Sequence, residues 1–202
     1  MKAWQHFKTV MKHKHLVLIG CFKVGLYRQG IFHDMSKFSP VEFWVGAKYF
    51  QGDSSPNNAE RKDKGVSYSW LHHKGRNKHH FEYWIDYAIK TDANGNLIPG
   101  DDGKVVAGMK MPVKYVVEMF MDRVAASKVY HSATYDDSNA LNYYRKGRSH
   151  QIMHPETAAL LELMLVKLSE NGEEITFKFI KDEVLKRGYD VLRSENVVLN
   201  LS

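Results

Sequence analysis

The chain has 202 residues, of which 44% are hydrophobic, and this size suits one globular domain over residues 1–202. Its net charge of +6 and pI near 9.2 predict an anionic partner, such as a small phosphate-bearing substrate, and permit nucleic acid without indicating it, because the basic residues are spread out. A single cysteine, Cys21, excludes an intramolecular disulfide framework.

The start of the chain is basic and leads into the apolar run LVLIGCF, which resembles a signal peptide. Lys23 interrupts this run, and no small-residue cleavage site follows it. No stretch of about 20 apolar residues is present to span a bilayer. We therefore expect a cytoplasmic protein without a membrane partner, with Cys21 as a small buried hydrophobic residue.

The first quarter of the chain is predicted to be mainly helical. Apolar residues recur at helical spacing over 3–28 and predict one long helix or two abutting helices, with Gly20 and Gly25 as candidate bends. Pro40 predicts the start of another helix, because proline is favoured in the first helical turn. The polar segment 51–65 is predicted to be an exposed loop.

Helical patterns also dominate the remainder. Residues 67–90 are predicted to form two helical pieces broken near Gly75, and the Asn-Gly and Asp-Gly dipeptides of 91–111 predict turns and a small hairpin. From Pro112 the apolar spacing predicts an amphipathic helix to about Tyr130. Further helices are expected around 138–148, 155–170 and 174–187. The predicted fold class is all-α.

The segment GIFHDMSKF places a histidine beside an aspartate, His33 and Asp34, at the end of an apolar run. Imidazole and carboxylate are good ligands for divalent transition metals, and this pair supplies both from one turn. Alternatively, the pair marks an ordinary helix boundary, with Ser36 or Ser39 capping the helix that starts at Pro40. The dipeptide by itself leaves both interpretations open.

Four of the eleven histidines fall within the segment HHKGRNKHH, namely His72, His73, His79 and His80. In a continuous helix, His73 and His80 would share a face, whereas a break at Gly75 would place them on either side of a bend. Either arrangement aims several imidazoles into one cleft. The alternative is a solvated basic turn that includes Arg76 and Lys78.

Asp122 lies on the apolar face of the helix predicted from Pro112. A carboxylate among apolar side chains needs a cation, a metal or hydrogen-bond donors, because burying it unpaired is costly. Glu118, one turn earlier, adds a second negative charge, and a metal would relieve both. A half-exposed face, or a lysine from another helix, would also account for Asp122.

The candidate residues occur along the chain in the order His13, His33-Asp34, His73, His79-His80 and Asp122. This order resembles the H…HD…H…H…D ligand pattern of the HD-domain superfamily, whose members are all-helical metal-dependent phosphohydrolases. HDMSK resembles the HD-x-x-K segment of that superfamily, and MDRVAA resembles its last ligand helix. HDMSKFSPVEF and HHKGRNKHHFEYW are more closely similar to an uncharacterised bacterial and phage family with HD-like features. This resemblance covers about residues 10–135 and implies an HD-like helical bundle with a hairpin or loop insertion around 91–111. Residues 136–202 add helices.

The resemblance implies a metal site with His33 and Asp34 at its centre and Asp34 able to bridge two ions. One or two divalent transition-metal ions (manganese, iron, cobalt, nickel or zinc) would be the cofactor. His13, with His15 as the alternative, and Asp122 would complete the first site. The implied ligand set is His13, His33, Asp34, His73, His79, His80 and Asp122, with His73 and either His79 or His80 serving the second ion.

The activity that the resemblance implies is hydrolysis of a nucleotide or another small phosphoester. Asp34 and Lys37 would be the catalytic residues, with Lys37 neutralising a phosphate oxygen. Two alternatives remain open: a regulatory module that binds metal without catalysis, and an HD-type di-iron oxygenase. The oligomeric state is not predicted.

Overall fold

The computed structural model describes residues 2–52, 54–94, 96–100, 103 and 105–197. It is 71% helical and 6% strand, so the predominantly α-helical class predicted from the sequence is confirmed. None of the helices in these described ranges combines the length and the apolar character needed to cross a membrane.

Two helices form the N-terminal part, α1 (Lys2–Lys23) and the short α2 (Tyr27–Phe32). Gly25 has the left-handed backbone (φ 87°) that lets the chain reverse between them, as predicted. Gly20 does not bend α1. Instead, its missing side chain makes room for the sulfur of Met121, which lies only 2.7 Å from where a Cβ would stand. Cys21 is fully buried, as expected.

A short 3-10 turn, Met35–Phe38, leads to α3 (Pro40–Lys48), which begins at the predicted proline. The prediction of a loop over 51–65 is wrong in part, because α4 occupies Pro56–Lys64. Burial of one polar residue explains the difference. The carboxylate of Glu60 accepts hydrogen bonds from the Ser67 and Ser69 hydroxyls, contacts that a local polarity pattern cannot reveal.

Helix α5 (Tyr68–Lys74) ends at Gly75, where the break was predicted. The predicted second helical piece is wrong, since a 3-10 turn at Phe81–Trp84 leads directly into strands. The strands are β1 (Ile85–Tyr87), β2 (Ile89–Thr91), β3 (Leu97–Pro99) and β4 (Val106–Gly108).

Antiparallel pairing of β1 with β4 and of β2 with β3 forms two two-stranded sheets, with β2 and β3 lying between β1 and β4 in the sequence, and this hairpin-like region starts before the predicted 91–111. The earlier start is explained by β-favouring residues at 85–91, where Ile85, Tyr87, Ile89 and Thr91 alternate with other residues. Of the predicted turn dipeptides, Gly95 and Asp102 lie outside the described residues.

The long helix α6 (Val113–His131) matches its prediction and runs through the middle of the fold. It packs against α1 on one side and α8 on the other. The helices after it are α7 (Asn139–Gly147), α8 (Pro155–Phe179, kinked at Gly172), a π-helical turn (Ile180–Val184), α9 (Leu185–Arg187) and α10 (Val191–Ser194). The kink at Gly172 separates the two helices predicted there.

The apolar core lies between α6 and α8, where side chains such as Phe120, Leu161 and Leu165 are fully buried. The opposite side of α6 carries Glu118 and Asp122 towards α1 and α2. Polar side chains therefore collect on the α1 side of α6, away from the main core.

Candidate metal centre

The loop that follows α2 carries His33 and Asp34 into the protein interior. Asp34 has left-handed backbone (φ 53°, ψ 30°), an uncommon conformation outside glycine that recurs at functional sites. Nζ of Lys14 donates hydrogen bonds to the carbonyl oxygens of Ile31 at 2.8 Å and His33 at 2.7 Å. These bonds fasten the loop to α1, and both His33 and Asp34 are buried.

A first group of potential ligands contains His13, His33, Asp34 and Asp122, whose ligand atoms lie within 4.8 Å of one another. Nε2 of His13 is 3.0 Å from Oδ1 of Asp122. Nε2 of His33 is 3.3 Å from Oδ2 of Asp34 and 3.5 Å from Oδ1 of Asp122. Three separate elements, α1, the loop after α2 and α6, therefore contribute to this group.

A second group contains Asp34, His73, His79 and His80 and satisfies the same distance limit. Oδ1 of Asp34 lies 3.3 Å from Nε2 of His73 and 3.4 Å from Nε2 of His79. Nε2 of His80 is 2.8 Å from Nε2 of His73. The two oxygens of Asp34 thus face different groups, Oδ2 the first and Oδ1 the second.

Several of these convergent atoms lack hydrogen bonds. Within the described part of the chain, Nε2 of His33 and His79 and Oδ1 of Asp34 are buried without a hydrogen-bond partner, and Oδ2 of Asp34 contacts Nζ of Lys37. Buried polar atoms normally have partners, because leaving them unsatisfied costs free energy. Imidazole nitrogens and carboxylate oxygens aimed at common points fit divalent transition-metal ions, which would satisfy them.

Glu118 lies behind both groups. Its Oε1 is 3.0 Å from Nδ1 of His33 and 3.1 Å from Nδ1 of His79. A carboxylate at Nδ1 holds the proton there and leaves Nε2 free to ligate, as is usual behind metal-binding histidines. Glu118 is thus an orienting carboxylate, in addition to the negative neighbour of Asp122 recognised in the sequence.

Glu42 has the same role behind the second group, and sequence analysis missed it. Its Oε2 lies 2.7 Å from Nδ1 of His73, and its Oε1 lies 2.6 Å from Nδ1 of His72. In the sequence Glu42 is an ordinary acidic residue in the first turn of a helix. Its place inside the motif HDMSKFSPVEF was the one signal that could have pointed to it.

The pKa values at the site reflect strong mutual attraction. Burial disfavours the charged imidazolium of His33, but the carboxylates of Asp34 and Asp122 outweigh burial and hold the pKa of His33 well above its usual value. Burial also disfavours the carboxylate of Asp34, yet His33 and Lys37 outweigh it and hold its pKa well below the usual range. The pKa of Asp122 is likewise well below its usual value. Burial would raise it, but the contacts with His13 and His33 outweigh burial.

Negative charge exceeds fixed positive charge in this region. The lysines involved are Lys37, whose Nζ lies 2.5 Å from Oδ2 of Asp34, and Lys14 of α1, whose Nζ donates to the carbonyl oxygen of His33. Burial lowers the pKa of Lys37, but Asp34 and Asp122 outweigh it and raise that pKa above its usual value. The carboxylates are Asp34, Glu42, Glu118 and Asp122. This excess suits the charge of one or two divalent cations.

All seven residues predicted as ligands are brought together by the fold. His15 is exposed, so His13 is the histidine of α1 that reaches the centre. Arg76 and Lys78 are also exposed, in keeping with the solvated-turn interpretation for those two residues. Asn77 between them is buried and donates to the Ser36 hydroxyl at 2.8 Å.

Comparison with known proteins gives one result. A family model described as "Family of unknown function (DUF5662)" matches residues 2–167, a range that contains every residue of the candidate centre. No significant match was found among curated proteins or among solved structures.

Proposed function

The chain belongs to this family of unknown function, and from the site itself we propose that it is a metal-dependent phosphohydrolase acting on a nucleotide or another small phosphoester. The seven-residue set would hold one or two divalent transition-metal ions. The helices around it are proposed to form an HD-like bundle, which the order of the ligand residues supports.

The observation that carries this proposal is the position of Asp34 between two histidine groups. Oδ2 faces His33 of the first group, and Oδ1 faces His73 and His79 of the second. A carboxylate placed in this way is suited to bridge two ions. Paired ions supply a nucleophilic water at neutral pH and stabilise the charge that develops on a phosphoryl group.

The protein's own residues would prepare and orient the reactants. Glu118 and Glu42 keep the ligand histidines in the tautomer with Nε2 directed inward. Lys37, with 31% of its side chain exposed, and Asp122, with 18%, are more exposed than Asp34, and they mark the open side of the centre. A phosphate entering there would meet Nζ of Lys37, a compact cation suited to a phosphate oxygen.

Elemental analysis of the purified protein is the first test. We expect one or two equivalents of a divalent transition metal in the wild type and none in Asp34→Ala, because both groups lose their shared carboxylate. His150→Ala is the matched control, since His150 is exposed and lies outside both groups. Equal metal content in the two variants would refute the assignment.

Turnover then separates the candidate functions. The metal-loaded protein is screened with Mn²⁺, Co²⁺, Fe²⁺ or Mg²⁺ against nucleotides and generic phosphoesters, and phosphate release is expected. Bound metal without turnover would favour the regulatory module. Redox-active iron with an oxygen-dependent product would instead favour the di-iron oxygenase, which uses similar His and Asp ligands.

A further inference from the structure

Helix α1 is apolar on two opposite sides. One side, with Val17 and Cys21, packs into the protein and carries His13 to the metal centre. The other side faces outward, where Trp4 is 61% exposed. A surface helix of a globular protein normally has one apolar stripe. The exposed apolar residues of the outer stripe are Trp4, Met11, Ile19 and Phe22.

Helix α2 extends this outer stripe. The ring of Tyr27 meets that of Phe22 edge-on, with centroids 5.1 Å apart. The two bonds from Lys14 hold the end of α2 beside the middle of α1. Phe32 at that end is 63% exposed, and Ile31 is exposed as well. We call the exposed apolar residues of both helices the α1–α2 surface: Trp4, Met11, Ile19, Phe22, Tyr27, Ile31 and Phe32.

The same segment holds the whole charge excess of the protein. Residues 2–33 contain no aspartate or glutamate. Their six basic residues account for the difference between the 29 basic and 23 acidic residues of the chain. These residues are Lys2, Lys8, Lys12, Lys14, Lys23 and Arg28.

The basic residues are not distributed evenly around the α1–α2 surface. Lys8 and Lys12 are exposed beside the apolar stripe, and Nζ of Lys8 lies 5.3 Å from the ring centroid of Trp4. At the far end of α1, Lys23 shares a surface hollow with basic Lys178 and Lys181 and with acidic Glu173, Glu174 and Asp182. Lys2, Lys8 and Lys12 are all exposed and place positive charge along the first half of α1.

From these features we propose that the α1–α2 surface docks onto an anionic membrane surface, with the apolar side chains entering the headgroup region. Exposed Trp, Phe and aliphatic residues flanked by lysines are characteristic of helices that lie in the membrane interface. Acidic lipid headgroups would complement Lys8 and Lys12. This proposal departs from the expectation of no membrane partner, which rested on the lack of a spanning segment, because an interfacial contact needs no such segment.

Two other occupants fit the surface less well. Aliphatic side chains such as Met11 and Ile31 gain little against the phosphates of a nucleic acid, where basic and stacking residues contribute most. A second copy of the chain would bring the same lysines face to face. Docking would also place the metal centre about one helix diameter, ~10 Å, from the membrane, because His13 lies on the opposite side of α1.

The test is co-sedimentation of the full chain with vesicles of phosphatidylcholine, with and without phosphatidylserine, at low and high salt. Binding is expected only with phosphatidylserine and is weakened by salt. The double variant Lys8→Gln/Lys12→Gln should lower the partition coefficient roughly thirtyfold, since each lysine near such a surface strengthens binding by roughly five- to sixfold. Trp4→Ser/Phe32→Ser should also weaken binding. Tyr143→Ser, an equally exposed aromatic position on α7, should not.

Metal content is measured on every variant and is expected to be unchanged, which keeps this test independent of the proposed catalysis. Failure to bind phosphatidylserine vesicles, or equal binding by all variants, overturns the proposal. The proposal is also overturned if the protein binds single-stranded RNA and not vesicles, and if Lys8→Gln/Lys12→Gln abolishes that RNA binding. A dimer in light scattering that Trp4→Ser/Phe32→Ser dissociates would assign the surface to a second copy and overturn it as well.

Discussion

Oε1 of Glu118 lies 3.0 Å from Nδ1 of His33, a buried contact between residues 85 positions apart in the chain. The same oxygen lies 3.1 Å from Nδ1 of His79. Because these histidines belong to different groups of candidate ligands, one carboxylate orients a candidate ligand of each group. A change at Glu118 should therefore affect both parts of the centre.

Glu118→Gln should lower metal affinity roughly ten- to a hundredfold, the usual effect of removing a partner behind a metal-binding histidine. The neutral amide is a weaker acceptor for the two Nδ1–H groups, so both rings lose orientation. Calorimetric titration of the metal-free protein measures the affinity. Glu162→Gln, at an exposed ion pair with Arg145, is the matched control and should bind metal as the wild type does. Wild-type affinity in Glu118→Gln would contradict this role.

Two histidines on α1 provide a paired comparison. His13→Ala should reduce bound metal, because His13 is a member of the first group and its Nε2 lies 3.0 Å from Oδ1 of Asp122. His15→Ala should leave metal content unchanged, since His15 is exposed. The measurement is metal stoichiometry after gel filtration, with circular dichroism to verify folding. Equal loss in both variants would show that α1 contributes through its fold and not through His13 as a ligand.

Lys37 is expected to act on the substrate and not on the metal. Lys37→Gln should lower kcat/KM for a phosphomonoester by roughly ten- to a hundredfold, the effect of losing one hydrogen bond to a charged group. Metal content should persist, because the ligand set is intact. Phosphate release and elemental analysis on the same preparation separate the two effects. Loss of metal together with activity would assign Lys37 a role in holding Asp34 in place.

Glu60 predicts a pH dependence of stability away from the centre. Burial would raise its pKa, but hydrogen bonds from Ser69 and Ser67 outweigh burial and lower the pKa of Glu60 from 4.5 to about 2. A pKa depressed in the folded state gives stability that is present above the unfolded pKa and is lost as the pH falls through the folded one. The contribution should therefore disappear between about pH 4.5 and about pH 2.

The corresponding experiment compares urea unfolding of the wild type and Glu60→Gln at neutral and at acidic pH. At neutral pH the variant should be less stable by on the order of 2 kcal/mol, and the gap should narrow as acid protonates Glu60 in the wild type. Glu162→Gln again serves as the control. If the difference in unfolding free energy between wild type and variant stays constant with pH, the charge of Glu60 does not contribute to stability.

Part of this architecture follows from local sequence. Pro40, Gly25, Gly75 and Gly172 mark helix boundaries or breaks, because proline and glycine act on the backbone at their own positions. The metal-ligand candidates were also recognisable, since a histidine or an aspartate carries its ligand chemistry wherever it lies. Their order along the chain was enough to select seven residues that the fold brings together.

Other features depend on contacts between distant segments. The helix at Pro56–Lys64 is stabilised by buried Glu60, whose carboxylate accepts hydrogen bonds from Ser67 and Ser69. The strands after Phe81–Trp84 depend on the pairing of β1 with the distant β4. The contacts of Glu60 leave no periodic signal in the residues themselves.

By itself, then, the sequence determined which side chains could bind a metal and where many helices begin and end, because those are local properties of residue type. Only the tertiary structure decided that His13 faces inward while His15 faces solvent, and that Glu42 and Glu118 contact the Nδ1 atoms of the candidate ligand histidines. It also decided that α1 keeps an uncovered apolar side. The physical reason is that ring orientation, carboxylate pairing and burial each depend on partners supplied by other elements of the fold.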